Sequence, residues 1–187
     1  MKTAIESRRP EGVLDHFALA VTTFGVGYFP LMPGTFGSAV GVAIYLGISR
    51  LDVMWEHHWA PLHRVVPTQA QAVSIAVFLI FFLLFVLLGI WAAGRSNELL
   101  GNLDPPQAVV DEVIGQLITF LFVPFTIGWP FVLAGFLLFR LFDIWKPYPI
   151  DYLQVLPGGI GVCADDILAG VYAGVCLSVI YAISLSI

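Results

Sequence analysis

The stretch QAQAVSIAVFLIFFLLFVLLGIWAAG, Gln69 to Gly94, holds about 25 residues without one charged side chain. A helix rises 1.5 Å per residue and a bilayer's hydrocarbon core is about 30 Å thick, so this run crosses with some tilt. The composition agrees. Hydrophobic residues make up 59% of the 187-residue chain and charged residues 11%, less than half the charged share of a soluble domain. An exterior this poor in charge suits hydrocarbon rather than water. The formal net charge of −5, with no run of Lys or Arg, excludes a nucleic-acid footprint. The length fits one domain, residues 1–187.

Working back from Gln69, Arg50 to Thr68 reads as a polar loop carrying His57, His58 and His63, taken as solvated side chains. Before it, the apolar region Phe17 to Ile48 is interrupted by Gly25-Val26-Gly27 and by Pro30 to Gly37. This break separates an interfacial or re-entrant piece from a short helix starting near Thr35 or Ser38. The N-terminal Lys2, Arg8 and Arg9 precede no convincing cleavage site, so the tail is expected to be retained.

Working forward, Asp104-Pro105 followed by Gln107 has the form of an N-cap, a first-turn proline and a capping-box partner. A helix is expected from Pro105 to about Val123, with Val109, Val110, Val113, Ile114, Leu117, Ile118 and Leu121 at helical spacing. Pro124 to Pro130 is a turn, and Phe131 to Trp145 is a second helix stopped by Pro147 and Pro149. Pro157-Gly158-Gly159 reads as a loop, and Ile167 to Ile187 as a last apolar stretch. The expected fold is all-α: a polytopic helical membrane protein with short re-entrant or hairpin helices and about three to four spanning segments. Cys163 and Cys176 lack metal-ligand spacing and read as core residues.

The few carboxylates are informative because charge beside hydrocarbon is costly and must face protein or water. Asp111, Glu112, Asp143, Asp165 and Asp166 all lie at or near the ends of apolar helices. Glu112, Gln116 and Thr119 draw a polar line down one helix face. Gly115 and Gly170 follow Asp111 and Asp166 by one turn, clearing space there for a helix or a ligand. Placing the basic tail in the cytoplasm and alternating the crossings brings the start of the first helix and all the acidic groups to one face. Inverting the whole topology leaves them together.

Clustered carboxylates make a hard-oxygen site of the kind that binds magnesium alongside substrate phosphate. Arg140 and Lys146 lie where they can pair with an acid or a phosphate. The segment Pro33-Gly34-Thr35-Phe36-Gly37-Ser38 enters a helix, so Gly34, Thr35 and Ser38 are candidates for anion binding; it lacks a nucleotide P-loop's ending. Plainer readings stand beside these: Asp165 as a helix N-cap, Arg140 and Asp143 as an ordinary i, i+3 pair, and the Pro-Gly segment as a turn.

Four segments resemble the phosphatidylglycerophosphatase A family: Gly27 to Ser38, Val110 to Gly115, Phe139 to Ile150 with its Asp-Ile-Trp-Lys-Pro run, and Gly159 to Gly170 with Asp-Asp-Ile-Leu-Ala-Gly. The resemblance spans most of the chain. It implies an all-helical, magnesium-dependent phosphatase of the bacterial inner membrane that acts on phosphatidylglycerol phosphate, its site facing the cytoplasm. The resemblance does not divide the roles among the acids. The cluster itself suggests a mechanism in which some of Asp111, Glu112, Asp143, Asp165 and Asp166 hold magnesium, Arg140, Lys146 and the Gly34, Thr35 and Ser38 region meet the phosphate, and a free carboxylate, Asp166, positions the attacking water. An intramembrane cation or proton transporter and a membrane scaffold are the alternatives. The first needs polar residues continuing across the bilayer, and the second has no use for convergent acids.

Overall fold

A computed structural model describes residues 5–59 and 66–186. The described residues form six α-helices: α1 (Gly12–Thr23), α2 (Pro33–Met54), α3 (Pro67–Leu100), α4 (Val110–Phe120), α5 (Trp129–Trp145) and α6 (Gly158–Ser184). Short 3₁₀ turns join α1 to α2 at Val26–Tyr28 and α5 to α6 at Ile150–Val155. There is no strand among the described residues. Among the described residues, three helices are long and apolar enough to cross a membrane: α2, α3 from Thr68, and α6. The architecture is that of a polytopic helical membrane protein, as expected.

α4 is the axle of the fold. Every residue from Val113 to Phe120 is buried on it, together with Val110 and Asp111. An eleven-residue helix is about 16 Å long, too short to cross a membrane, so α2, α5 and α6 enclose it instead. On the α2 side, Gly37 and Gly41 let the two backbones approach. A Cβ on Gly41 would stand 2.8 Å from the Cβ of Gln116. One turn further on, Tyr45 stacks on Phe120 with ring centroids 4.2 Å apart and donates its hydroxyl to the carbonyls of Pro124 and Phe125. The exterior of α3, in contrast, leaves Leu79, Ile80, Phe81, Leu83, Leu84 and Leu87 exposed, a face suited to lipid.

Several element boundaries differ from the sequence reading. α4 begins at Val110 rather than Pro105. The Asp104-Pro105 signal makes only a turn, closed by the Ala108 N–H on the Pro105 carbonyl, and the Val109 N–H donates to the Thr22 carbonyl at the end of α1. The Gly27 backbone also packs on Gln107, where a Cβ would meet the carbonyl oxygen at 2.0 Å. This pairing of segments overrides the local helix-start signal. α6 begins at Gly158, nine residues before the expected Ile167, with Pro157 as its N-cap. Gly159 is a packing surface, not part of a loop: a Cβ on it would stand 1.8 Å from the Ile90 carbonyl oxygen of α3.

The expected Arg50–Thr68 loop is helical at both of its described ends. α2 continues to Met54 and a wider π-helical turn carries the chain to Trp59, since Leu51, Met54 and Trp55 extend its apolar pattern. His57 and His58 lie on that turn, while His63 lies outside the described residues.

α1 carries a feature the sequence reading missed. Asp15 is fully buried and receives Arg8 through two hydrogen bonds (2.5 and 3.0 Å), Arg95 of α3 at 2.6 Å, and the Glu11 N–H at 2.8 Å. Arg8 also bonds Glu98. These contacts latch the N-terminal segment to the end of α3. The Arg8 guanidinium and the Glu11 N–H, against the cost of burial, hold the Asp15 carboxyl well below the usual carboxylate range.

Candidate active site

The site grows from the crossing of α4 and α6. A Cβ on Gly170 would stand 2.3 Å from the Gly115 carbonyl oxygen, and one on Gly115 would stand 2.5 Å from the Asp166 carbonyl oxygen. Only glycine permits this approach. One turn earlier on each helix, Asp111 and Asp166 therefore face each other, both buried. The half-buried Glu112 completes a group in which all three residues offer a carboxylate oxygen within 4.8 Å of the others. α2 closes this group from the side: a Cβ on Gly34 would meet Glu112 Oε1 at 2.3 Å and Arg140 Nη1 at 3.1 Å.

Two cations flank the group. Arg140 near the end of α5 donates to Asp143 at 2.5 Å and reaches Ser38 Oγ at 3.5 Å. Ser38 itself donates to the Gly34 carbonyl. Lys146 caps α5 with φ 46°, a left-handed conformation that costs a non-glycine residue about 1–2 kcal/mol. From there its Nζ reaches Asp165 Oδ2 at 2.5 Å. The partial burial of Lys146 opposes its charge, but the hydrogen bond and charge of Asp165 outweigh this and raise its pKa above the ordinary value.

Hence the ten candidate residues fall into distinct places. Asp111, Glu112 and Asp166 share a focus, whereas Asp143 and Asp165 each pair with a cation beside it. Gly34 and Ser38 line the α2 side. Thr35 is half-buried, and its N–H and that of Phe36 both donate to the Met32 carbonyl, so these two amides are not the anion donors expected of them. The N-cap reading of Asp165 is also corrected, because Asp165 and Asp166 lie two turns inside α6. The i, i+3 reading of Arg140 and Asp143 holds, and it coexists with a place in the site. Gln116 adds a fully buried amide one turn below Glu112, with neither end hydrogen-bonded in the protein. It was visible in the sequence only as part of a polar line.

The electrostatics of the group are those of crowded acids. Burial first, and the neighbouring Asp165 and Asp104 charges after it, push the Asp111 carboxyl above its ordinary value. Burial and the Asp111 charge raise Glu112 well above its ordinary value. Oδ1 of Asp111 and Oε2 of Glu112 are buried without a hydrogen-bond partner, which is costly unless something else satisfies them. Hard anionic oxygens from two helices, partly unpartnered and sharing one focus, fit a small divalent cation such as magnesium.

The phosphatidylglycerophosphatase A family matches residues 19–181 of the chain. A Haemophilus influenzae protein named phosphatidylglycerophosphatase A is 33% identical over 162 residues, 86% of each chain. The Escherichia coli protein of that name is 32% identical over 154 residues, 82% of this chain and 76% of its own. A Bacteroides thetaiotaomicron protein named putative phosphatidylinositol-3-phosphatase is 36% identical over 159 residues, 84% of this chain and 89% of its own. No solved structure matches. With the match running from within α1 to the last turn of α6 and taking in every member of the acidic group, the chain belongs to the phosphatidylglycerophosphatase A family and is a phosphatase acting on a phosphate monoester.

Proposed function

We propose that this protein is a single-domain, magnesium-dependent phosphatase of the bacterial cytoplasmic membrane, converting phosphatidylglycerol phosphate to phosphatidylglycerol and inorganic phosphate on the cytoplasmic face. The observation that carries the proposal is the shared focus of Asp111, Glu112 and Asp166 between two cations, Arg140 and Lys146. Acids alone would repel a phosphate monoester. Acids that hold a divalent cation, with an arginine and a lysine beside them, would bind one.

Asp111, Glu112 and Asp166 would hold magnesium, with Asp143 and Asp165 adding negative charge beside it while they anchor Arg140 and Lys146. The bound ion supplies Lewis-acid polarisation of the phosphorus and a more acidic water. Arg140 and Lys146, each on a hydrogen-bonded anchor, neutralise charge on the phosphoryl oxygens as the bond to the glycerol oxygen breaks. Asp166 accepts the proton of the water whose oxygen bonds to phosphorus. The departing glycerol oxygen takes up a proton, giving phosphatidylglycerol and phosphate. Gly34 keeps the α2 wall flat against Glu112, and Ser38 steadies Arg140.

The test is phosphate release from phosphatidylglycerol phosphate by purified protein, with magnesium and with a chelator. Phosphatidylinositol 3-phosphate belongs in the same assay, because the Bacteroides relative's name points to that substrate. Both lipids present a phosphomonoester on a polyol attached to a diacylglycerol phosphate. Faster turnover of the inositol lipid would transfer the proposal to it. A transporter reading gains no support from α3, whose Gln69–Gly94 segment carries no charge to line a path.

A further inference from the structure

α5 carries more than the cations of the site. Counting back from Arg140 in steps of three and four gives Phe136, Leu133 (or Val132) and Trp129, a single stripe down one helix face. This stripe lines one side of an apolar groove of about 540 Å³, and Ala39 and Val42 of α2 line the other. The residue preceding Ala39 is Ser38, which Arg140 contacts. The groove therefore begins where the two helices meet at the site and runs away from it along both. Leu133 and Trp129 are 58% and 70% exposed, so the groove opens sideways, toward the surroundings of the helices.

We propose that this groove seats an acyl chain of the lipid substrate, whose phosphorylated headgroup lies at Arg140 and Ser38. The inference rests on the lipid-phosphatase reading above and deepens it. Two features favour this occupant. Trp129 and Arg140 stand eleven positions apart, about 16 Å of helix, and half of a ~30 Å hydrocarbon core is about 15 Å, the depth of one leaflet. The charge pattern also matches that of a phospholipid, with a guanidinium at one end of the groove and only apolar side chains beyond it. The larger cavity, about 570 Å³ between Ile48 and Leu51 of α2 and Val77 and Phe81 of α3, has no such continuity. Leu51 is thirteen residues from Ser38, about 20 Å along α2, and so belongs to the opposite leaflet.

The experiment compares kcat/KM for long-chain and short-chain phosphatidylglycerol phosphate, the two acyl lengths assayed in the same detergent. Ala39→Trp fills the groove from α2, and Leu133→Trp narrows it from α5 at an exposed position where folding is safe. Val179→Trp, on an exposed face of α6, is the control. The long-chain to short-chain ratio is expected to fall tenfold or more in the two groove variants and to stay at its original value in the control. An unchanged ratio in folded groove variants overturns the inference while leaving the phosphatase reading standing. So does a change of oligomeric state without a change of ratio, which would make the groove an interface between copies. If the unaltered protein releases no phosphate from either lipid, the phosphatase reading fails first and takes the inference with it.

Discussion

Gly115 and Gly170 meet backbone to backbone, so closely that a methyl group on Gly170 would overlap the Gly115 carbonyl oxygen at 2.3 Å. This contact sets the distance between α4 and α6, and with it the distance between Asp111 and Asp166 one turn away. Gly170→Val is therefore expected to push the helices apart. The gain in helix propensity over glycine, several tenths of a kcal/mol, is outweighed by overpacking, which typically costs 1–3 kcal/mol. Thermal melting should show the loss of stability, and phosphate release should fall with it.

Asn in place of Asp separates chemistry from scaffolding. Asp111→Asn, Asp143→Asn and Asp166→Asn each keep the side chain's shape and remove a negative charge. Activity is expected to fall a hundredfold or more, on the order of losing one acid–base or electrostatic contributor, with little change in melting temperature. The structure sharpens this test, because Asp166 lies two turns inside α6 and has no capping role to lose. His57→Ala, on the exposed turn that follows α2, should be near neutral. Normal turnover in all three amide variants would remove the site from this location.

Chelation addresses the metal. EDTA is expected to abolish phosphate release and added magnesium to restore it, since the acids would otherwise present their charge to a phosphate dianion without a counter-ion. Full activity in the chelator would refute the metal role.

Asp15 should matter for stability rather than for chemistry. Its folded-state pKa is depressed by Arg8 and the Glu11 N–H. The stabilisation is thus complete above the unfolded value of about 4 and is lost as pH falls from there toward the folded value. Asp15→Asn is expected to lower the melting temperature at pH 7, and the gap from the unaltered protein should narrow as the pH is lowered below about 4. A constant gap across that range would show that the carboxylate charge is not what holds the latch.

Sidedness can be read with a membrane-impermeant thiol reagent in a background lacking Cys163 and Cys176. Cysteine at His57 should label from outside intact cells, and cysteine at Leu103 should not. The opposite pattern would place the site on the outer face.

Much of this was legible beforehand, and where it was not the cause is tertiary. The long α3 announces itself because hydrocarbon demands an unbroken apolar run, and the acids stand out because they are so few. Glycines one turn from Asp111 and Asp166 signalled a close approach, and the structure resolves the choice between helix and ligand in favour of a helix. The start of α4 was misplaced because nothing local reveals that Val109 is tied to Thr22. The start of α6 was misplaced because Pro157-Gly158-Gly159 looks the same as a loop and as a helix entrance packed on another backbone. Asp15 was overlooked because its partners lie 7 and 80 residues away.

The enclosure of α4 has a consequence for how the molecule is made. At eleven residues carrying Asp111, Glu112, Gln116 and Thr119, this helix is too short and too polar to enter a bilayer on its own. The long helices α2, α3 and α6 can be delivered to the membrane one at a time, each stable there with its backbone internally satisfied. The segment that bears two of the three focal acids must wait for them. Biogenesis is thus expected to split into an insertion stage and an assembly stage, and the acidic focus comes into being only at the second, when the helices that enclose it are already standing.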